Sequence, residues 1–308
     1  MTYNWGMELI DGKSIAAKRL EELKSKVQGL KNKPKLVAVI VGEDPASWMY
    51  VNLKSKRAQE AGIESEIISL SVDVERSTIV QSINSLCLNA SVSGILTQLP
   101  FPKESPLVGH ELEILETIDP IKDVDCLTSE NLGLIALGKT RYYPATVKGV
   151  LIALTEGLAV SGKRLEEPLE NTKNWKIMYG MKAVVVGRSD IVGKPTAMAL
   201  ISLGATVTVC NSKTPDLSRV TGDADILVSA TGVPGLIKGH MVKSGAIVID
   251  VGINQNSEGK VIGDVEFEGV SKIASAISPV PGGVGPLTVV SLLENTCEAL
   301  YNRQITHT

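Results

Sequence analysis

The 308-residue sequence has little of what marks several large classes of protein. Its four cysteines, at 87, 126, 210 and 297, include no C-x-x-C, and its three histidines, at 110, 240 and 307, never approach H-E-x-x-H. Reduced thiols and no metal site are therefore expected. No apolar run reaches the ~20 residues that a bilayer span needs, and "MTYNWGMELIDGKSI" shows no basic segment leading into an apolar one. A cytoplasmic protein with no membrane partner is the expectation. Net charge is −3 with 31 Lys and Arg scattered along the chain, so nucleic acid is not an expected partner. The sequence also contains no internal repeat and no low-complexity tract.

What remains is globular composition, 44% hydrophobic and 21% charged, at a length that suits two packed cores. Short β-branched runs alternate with helix-period segments: "LVAVIV" (36–41), "SEIISL" (65–70), "SGILTQL" (93–99), "KAVVVG" (182–187), "ATVTVC" (205–210), "DILVSA" (225–230) and "AIVIDVG" (246–252). This alternation predicts an α/β fold with parallel sheets covered on both faces. The spacing predicts helices over 13–30, 145–158 and 285–303. A polar, irregular stretch at 158–180 follows the junction between two α/β domains, and the last helix is positioned to pack back on the first domain. The expected division is 1–147 plus 280–308 against 148–279, with a cleft between the two.

In the second domain, "KAVVVGRSDIVGKPTAMALISLGATVTVC" reads as strand, glycine turn, helix and strand. Gly187 and Gly193 let backbone N–H groups and a helix N-terminus approach a pyrophosphate. The spacing is not G-x-G-x-x-G, so a glycine turn without a ligand stays open on the motif alone. After the second strand, where an NAD site usually carries a carboxylate for the ribose 2′-hydroxyl, the residues are Asn211, Ser212 and Lys213. With Arg188, Ser189, Ser212 and Lys213 as donors, NADP is the expected cofactor. Glycines in "ATGVPG" (230–235) and "DVGIN" (250–254) fall at the ends of later strands, the ligand edge of such a sheet.

The first domain supplies Tyr50-x-x-x-Lys54 on a helix opened by "DPAS", Gln98 at a strand end, and Asp123 and Asp125 in "DPIKDVDC". At one sheet edge these would surround a single site. Each also has an ordinary structural reading: half-buried helix residue, solvated lysine, strand cap, turn carboxylate. A Tyr-x-x-x-Lys also occurs in short-chain dehydrogenases, but there the glycine turn comes first, and here it comes second.

Several segments in one order resemble the bifunctional methylenetetrahydrofolate dehydrogenase/methenyltetrahydrofolate cyclohydrolase family. They are "VGEDPASWMYVNLKSKRAQEAGI", "GILTQLPFP", "KDVD", "VVVGRSDIVGKP", "GATVTVCNSKT", "IDVGIN", "GDVEF" and "SPVPGGVGPLTVVSLLENT". The resemblance implies NADP-dependent oxidation of 5,10-methylenetetrahydrofolate, hydrolysis of the methenyl product to 10-formyltetrahydrofolate, and a homodimer joined through the dinucleotide domains. It maps the catalytic group onto Lys54, Tyr50, Gln98 and Asp123, the last as the pterin-binding carboxylate. Folate contacts are expected from Tyr50, Gln98, Leu99, Asp123, Pro281, Gly282 and Gly283. Cofactor contacts are expected from Gly187, Arg188, Ser189, Val192, Gly193, Ser212 and Ile253, with no metal. The reaction explains the residue types: hydride transfer needs alignment more than acid or base, whereas hydrolysis needs a proton carrier such as a lysine of lowered pKa.

The chain departs from the family pattern where Cys126 replaces the glycine after "KDVD", where "PATV" (144–147) stands for "PCTP", and where "CNS" stands for "CHS". Cys126 beside the expected pterin pocket is the most consequential. A shikimate-dehydrogenase-like enzyme would share the architecture without "PVPGGVGP". An inactive folate- or NADP-binding protein would not need Lys54 and Gln98.

Overall fold

The computed structural model describes residues 7–306 apart from 164, 173, 175 and 257, with backbone only at 303–306. His307 lies outside the described residues, as do three positions of the 158–180 connection.

In chain order the elements are β1 (Glu8–Leu9), α1 (Gly12–Gln28), β2 (Lys35–Val41), α2 (Pro45–Glu60), β3 (Glu64–Leu70), α3 (Arg76–Leu88) and β4 (Gly94–Thr97). There follow α4 (Glu111–Leu115), α5 (Ser129–Ala136), α6 (Ala145–Val160), β5 (Lys182–Val186), α7 (Gly193–Ser202), β6 (Thr206–Cys210), α8 (Leu217–Thr221) and β7 (Ile226–Ser229). The chain ends with β8 (Ile247–Asp250), β9 (Asn254–Gln255), β10 (Val261–Ile262), α9 (Phe267–Val270), β11 (Ala276–Ile277) and α10 (Val284–Thr306). All seven strands read from the sequence are present, each within a few residues of its expected bounds. The chain divides into two compact units: Ala17–Gly133 with the chain from Val289, and Leu134–Thr288 with the chain up to Ala16.

The first unit is built on a parallel sheet in the order β3-β2-β4. The central strand is buried at every position from Leu36 to Val41, which is why it reads as a continuous apolar run rather than an alternating one. Val37, Val39, Ile79, Ile83, Ile95 and Ile114 belong to the core on this sheet. The segment Lys122–Val124 extends along the free side of β4: the Ile95 N–H donates to Lys122 O at 2.8 Å, and Ile95 and Asp123 form a parallel bridge. Two devices hold it there. The wholly buried Lys122 ammonium donates to the carbonyls of Leu86, Cys87 and Asn89 at 2.9, 2.6 and 2.8 Å, closing the C-terminal end of α3 with a positive charge. Asn295 of α10 donates through Nδ2 to Val124 O at 2.9 Å.

The second unit carries a six-stranded sheet in the order β1-β11-β8-β7-β5-β6, parallel throughout. From β5 the chain first moves outward to β6, then returns past β5 to β7 and onward. That reversal puts a topological switch point at the C-terminal ends of β5 and β7, where doubly wound sheets hold ligands. The two-residue strands β1 and β11 extend the sheet on its other side, and two residues are too few to show a period in the sequence. The connection after α6 is fastened rather than loose: the Leu169 N–H donates to Thr155 Oγ1 at 3.0 Å and the Met178 N–H to Leu203 O at 2.9 Å.

Candidate active site

In the first unit, Asp44 opens α2 by accepting the Ser47 N–H at 2.8 Å, with Pro45 following in the first helical turn. The cap sits directly after β2, so α2 starts at the C-terminal end of the central strand. Tyr50 and Lys54, one turn apart, are half-buried on this helix. From the end of the adjacent β4, the Gln98 N–H donates to Val39 O at 2.9 Å, which fixes the backbone at that edge. Lys54 Nζ donates to Gln98 Oε1 at 3.1 Å, while Gln98 Nε2 donates to Leu99 O at 2.8 Å. The second bond leaves the amide oxygen as the end that meets the amine. Burial holds the Lys54 amine below the usual lysine range, opposed by the charge of Asp125.

The two aspartates of "KDVD" have different surroundings. Asp123 is 1% exposed. Its Oδ2 accepts the Thr128 N–H at 2.8 Å and Asn131 Nδ2 at 3.0 Å, and burial pushes its carboxyl up. Asp125 is only half-buried and is the carboxylate whose charge reaches Lys54. Between it and Leu127 stands Cys126, buried, with φ at +59° in the left-handed region that glycine adopts more readily. The cysteine thus holds a glycine-like backbone angle. The Leu99–Pro100 bond that follows Gln98 is cis.

In the second unit, β5 runs into Gly187 at φ +120°, where a Cβ would collide with Ala230 O of the turn after β7. A Cβ at Gly193 would likewise collide with Gly187 O. The two glycines therefore let three backbone segments close together at the start of α7, the geometry that admits a pyrophosphate to N–H groups. Ser189 Oγ accepts the Gly193 N–H at 3.2 Å, and Val192 is the residue immediately before the helix. The Gly187 N–H donates to Cys210 O at 2.9 Å, so Arg188 and the Asn211–Lys213 turn leave neighbouring strand ends. Asn211 is committed to that turn, its Oδ1 accepting the Lys213 N–H at 2.9 Å, and Arg188, Ser189, Ser212 and Lys213 are exposed. Ile253, also exposed, follows β8. Pro281, Gly282 and Gly283 belong to this unit as well. Gly282 O accepts the Lys13 N–H at 2.9 Å, and Gly283 O closes on Gly12 with no room for a Cβ there.

Among the described residues, no group of three or more His, Cys, Asp or Glu is placed to hold a metal ion. No described helix is long and apolar enough to cross a membrane.

A parallel sheet with a glycine turn at its switch point, and a separate α/β unit presenting a desolvated amine, define a two-domain nucleotide-dependent enzyme. Residues 10–125 match the tetrahydrofolate dehydrogenase/cyclohydrolase catalytic domain, and residues 169–304 match the NAD(P)-binding domain of the same family. The chain is 43% identical over 300 residues to bifunctional protein FolD of Geotalea uraniireducens, covering 96% of this chain and 99% of that protein. The crystal structure of the bifunctional enzyme FolD from Campylobacter jejuni superposes with a TM-score of 0.86 at 42% identity, over 96% of this chain and 99% of that one. A Trypanosoma brucei FolD complexed with NADP and an inhibitor gives 0.83 at 33% identity, over 97% and 98%. The chain belongs to the FolD-type bifunctional methylenetetrahydrofolate dehydrogenase/cyclohydrolase family.

Proposed function

We propose that this protein oxidises 5,10-methylenetetrahydrofolate with NADP⁺ and hydrolyses the 5,10-methenyl product to 10-formyltetrahydrofolate, with Lys54 as the proton carrier of the hydrolysis. The observation that carries this reading is the Lys54–Gln98 pair: an amine desolvated in the fold, held at 3.1 Å by a neutral acceptor whose orientation is fixed. A neutral amine at Lys54 Nζ takes a proton from the water that adds to the methenyl carbon, and the resulting ammonium returns one to the departing ring nitrogen. A carboxylate at position 98 would keep the amine charged; an amide holds it without fixing its protonation state. Tyr50, one turn earlier on α2, supplies an aromatic face for the flat substrate.

For the pterin edge, with its adjacent N–H donors, the reading from sequence named Asp123. Thr128 and Asn131 both bond Oδ2 of that carboxylate, and the pterin N–H groups would meet its other oxygen. Leu99, Pro281, Gly282 and Gly283 remain proposed folate contacts. In functional terms 1–147 with 280–308 serve the folate and 148–279 serve the cofactor, a division distinct from the compact units.

NADP⁺, when bound, supplies the hydride acceptor. Gly187, Ser189, Val192 and Gly193 fit its pyrophosphate, Ile253 fits the strand-end wall, and Arg188, Ser212 and Lys213 fit a 2′-phosphate where no carboxylate would repel it. For the dimer, the supporting feature is the outer strand β6, whose Val209 is 41% exposed, together with Ile201 of α7, exposed at 57%. A coupled assay following NADPH appearance and methenyl decay, run with NADP⁺ and NAD⁺ in parallel, tests the whole reading. Both signals with NADP⁺ preferred are expected; preference for NAD⁺ would overturn the assignment of Arg188 and Ser212.

A further inference from the structure

Two buried aspartates at the C-terminal edge of the six-stranded sheet have no part in the chemistry described so far. Asp264 Oδ2 accepts from four donors at the end of β7 and in the turn after it: Ser229 Oγ at 3.2 Å, Thr231 N at 2.6 Å, Thr231 Oγ1 at 2.9 Å and Gly232 N at 3.3 Å. Its Oδ1 accepts Asn254 Nδ2 from beyond β8 at 2.9 Å. Asp250, the last residue of β8, closes the arrangement by accepting the N–H groups of Gly252, Asp264 and Val265 at 2.9, 3.1 and 2.9 Å. The carboxylates approach so closely that a Cβ at Gly252 would strike Asp264 and one at Gly263 would strike Asp250. The turn that Asp264 gathers is the turn that meets Gly187, through Ala230.

We propose that Asp264 is a positioning residue for the dinucleotide: it ties the turn after β7 to the segment after β8 and so sets the far wall of the crevice that Gly187 opens. The donor set supports a fixed carboxylate here. Five N–H and O–H groups converge on one buried side chain, and an amide at the same place would turn its own N–H₂ toward some of them. The proposal rests on the cofactor reading above, and the same edge supplies both walls: Arg188 and Ser189 follow β5, Thr231 and Gly232 follow β7, and Ile253 follows β8. Asp264 itself touches no part of the cofactor in this account.

The test is direct NADP⁺ binding by calorimetry on wild type, Asp264→Asn, Thr231→Val and Arg188→Glu, with methenyl hydrolysis measured without cofactor on each. Asp264→Asn is expected to weaken NADP⁺ binding by about tenfold or more. Thr231→Val, which removes only one of the donors, is expected to weaken it by about threefold. Cofactor-free hydrolysis should stay within about twofold in both. If Asp264→Asn does not fold, Thr231→Val decides. Wild-type NADP⁺ affinity in the folded Asp264 and Thr231 variants, or a parallel fall in hydrolysis, would overturn the proposal. Arg188→Glu separates the two readings: if it too binds NADP⁺ normally, the cofactor site itself is misplaced, whereas if it alone loses binding, only the role of Asp264 fails.

Discussion

At the scale of single residues, what distinguishes a functional side chain is how its bonding capacity is spent. Helix spacing and a strand end left Tyr50, Lys54 and Gln98 open to ordinary structural readings, and the family resemblance singled them out; the structure joins Lys54 to Gln98 directly. The choice of Asp123 over Asp125, two positions apart in the same motif, came from the family resemblance and not from spacing. Asp123→Ala should cost about 1–3 kcal/mol of stability, by leaving the Thr128 N–H and the Asn131 amide buried without their acceptor. The same variant should raise the folate KM by about tenfold, by removing the acceptor proposed for the pterin edge. Denaturant titration and steady-state kinetics on Asp123→Ala check this; an unchanged folate KM would contradict the proposed role. Lys122 had no foreseeable role either, because the three carbonyls it closes belong to a helix that ends more than thirty residues earlier.

Among elements, the strands that carry ligand-facing ends announced themselves as apolar runs, and the glycine turn after β5 could be read from its neighbours. The Asp250–Asp264 brace could not. Its two members lie in "DVGIN" and "GDVEF", segments singled out for other reasons, and only the fold brings glycine backbones against their carboxylates. The brace gives the second unit a pH dependence with a definite sign. Burial pushes the Asp250 carboxyl from 3.8 up to about 6, against the pull of the three N–H groups it accepts. Between those values the folded protein binds this proton more tightly than the unfolded chain, so Asp250's contribution to stability is present at low pH and is lost as pH rises through about 6. Asp250→Asn lacks that titration. The melting-temperature difference, variant minus wild type, should therefore shift in the variant's favour between pH 4 and pH 7; a constant difference would contradict the assignment.

For the whole molecule, composition and strand–helix alternation sufficed to announce two α/β units, and the return of the last helix to the first was expected; the place of the N-terminal segment needed the structure. The early segment Glu8–Leu9 lies in the six-stranded sheet through parallel pairing of β1 with β11, and nothing in two residues could signal that. Association is argued from the opposite edge of the same sheet. Val209→Asp would place a charge on the outer strand, and sedimentation should show the proposed dimer for the wild type and a monomer for the variant; a variant that stays dimeric would move the interface elsewhere. The central claim is that one desolvated lysine runs the hydrolytic step while the other unit serves the cofactor. Supplying 5,10-methenyltetrahydrofolate directly to Lys54→Met, with NADP⁺ binding measured on the same sample, tests it most directly. The account predicts loss of 10-formyltetrahydrofolate formation with NADP⁺ affinity unchanged, and normal turnover by that variant would contradict it.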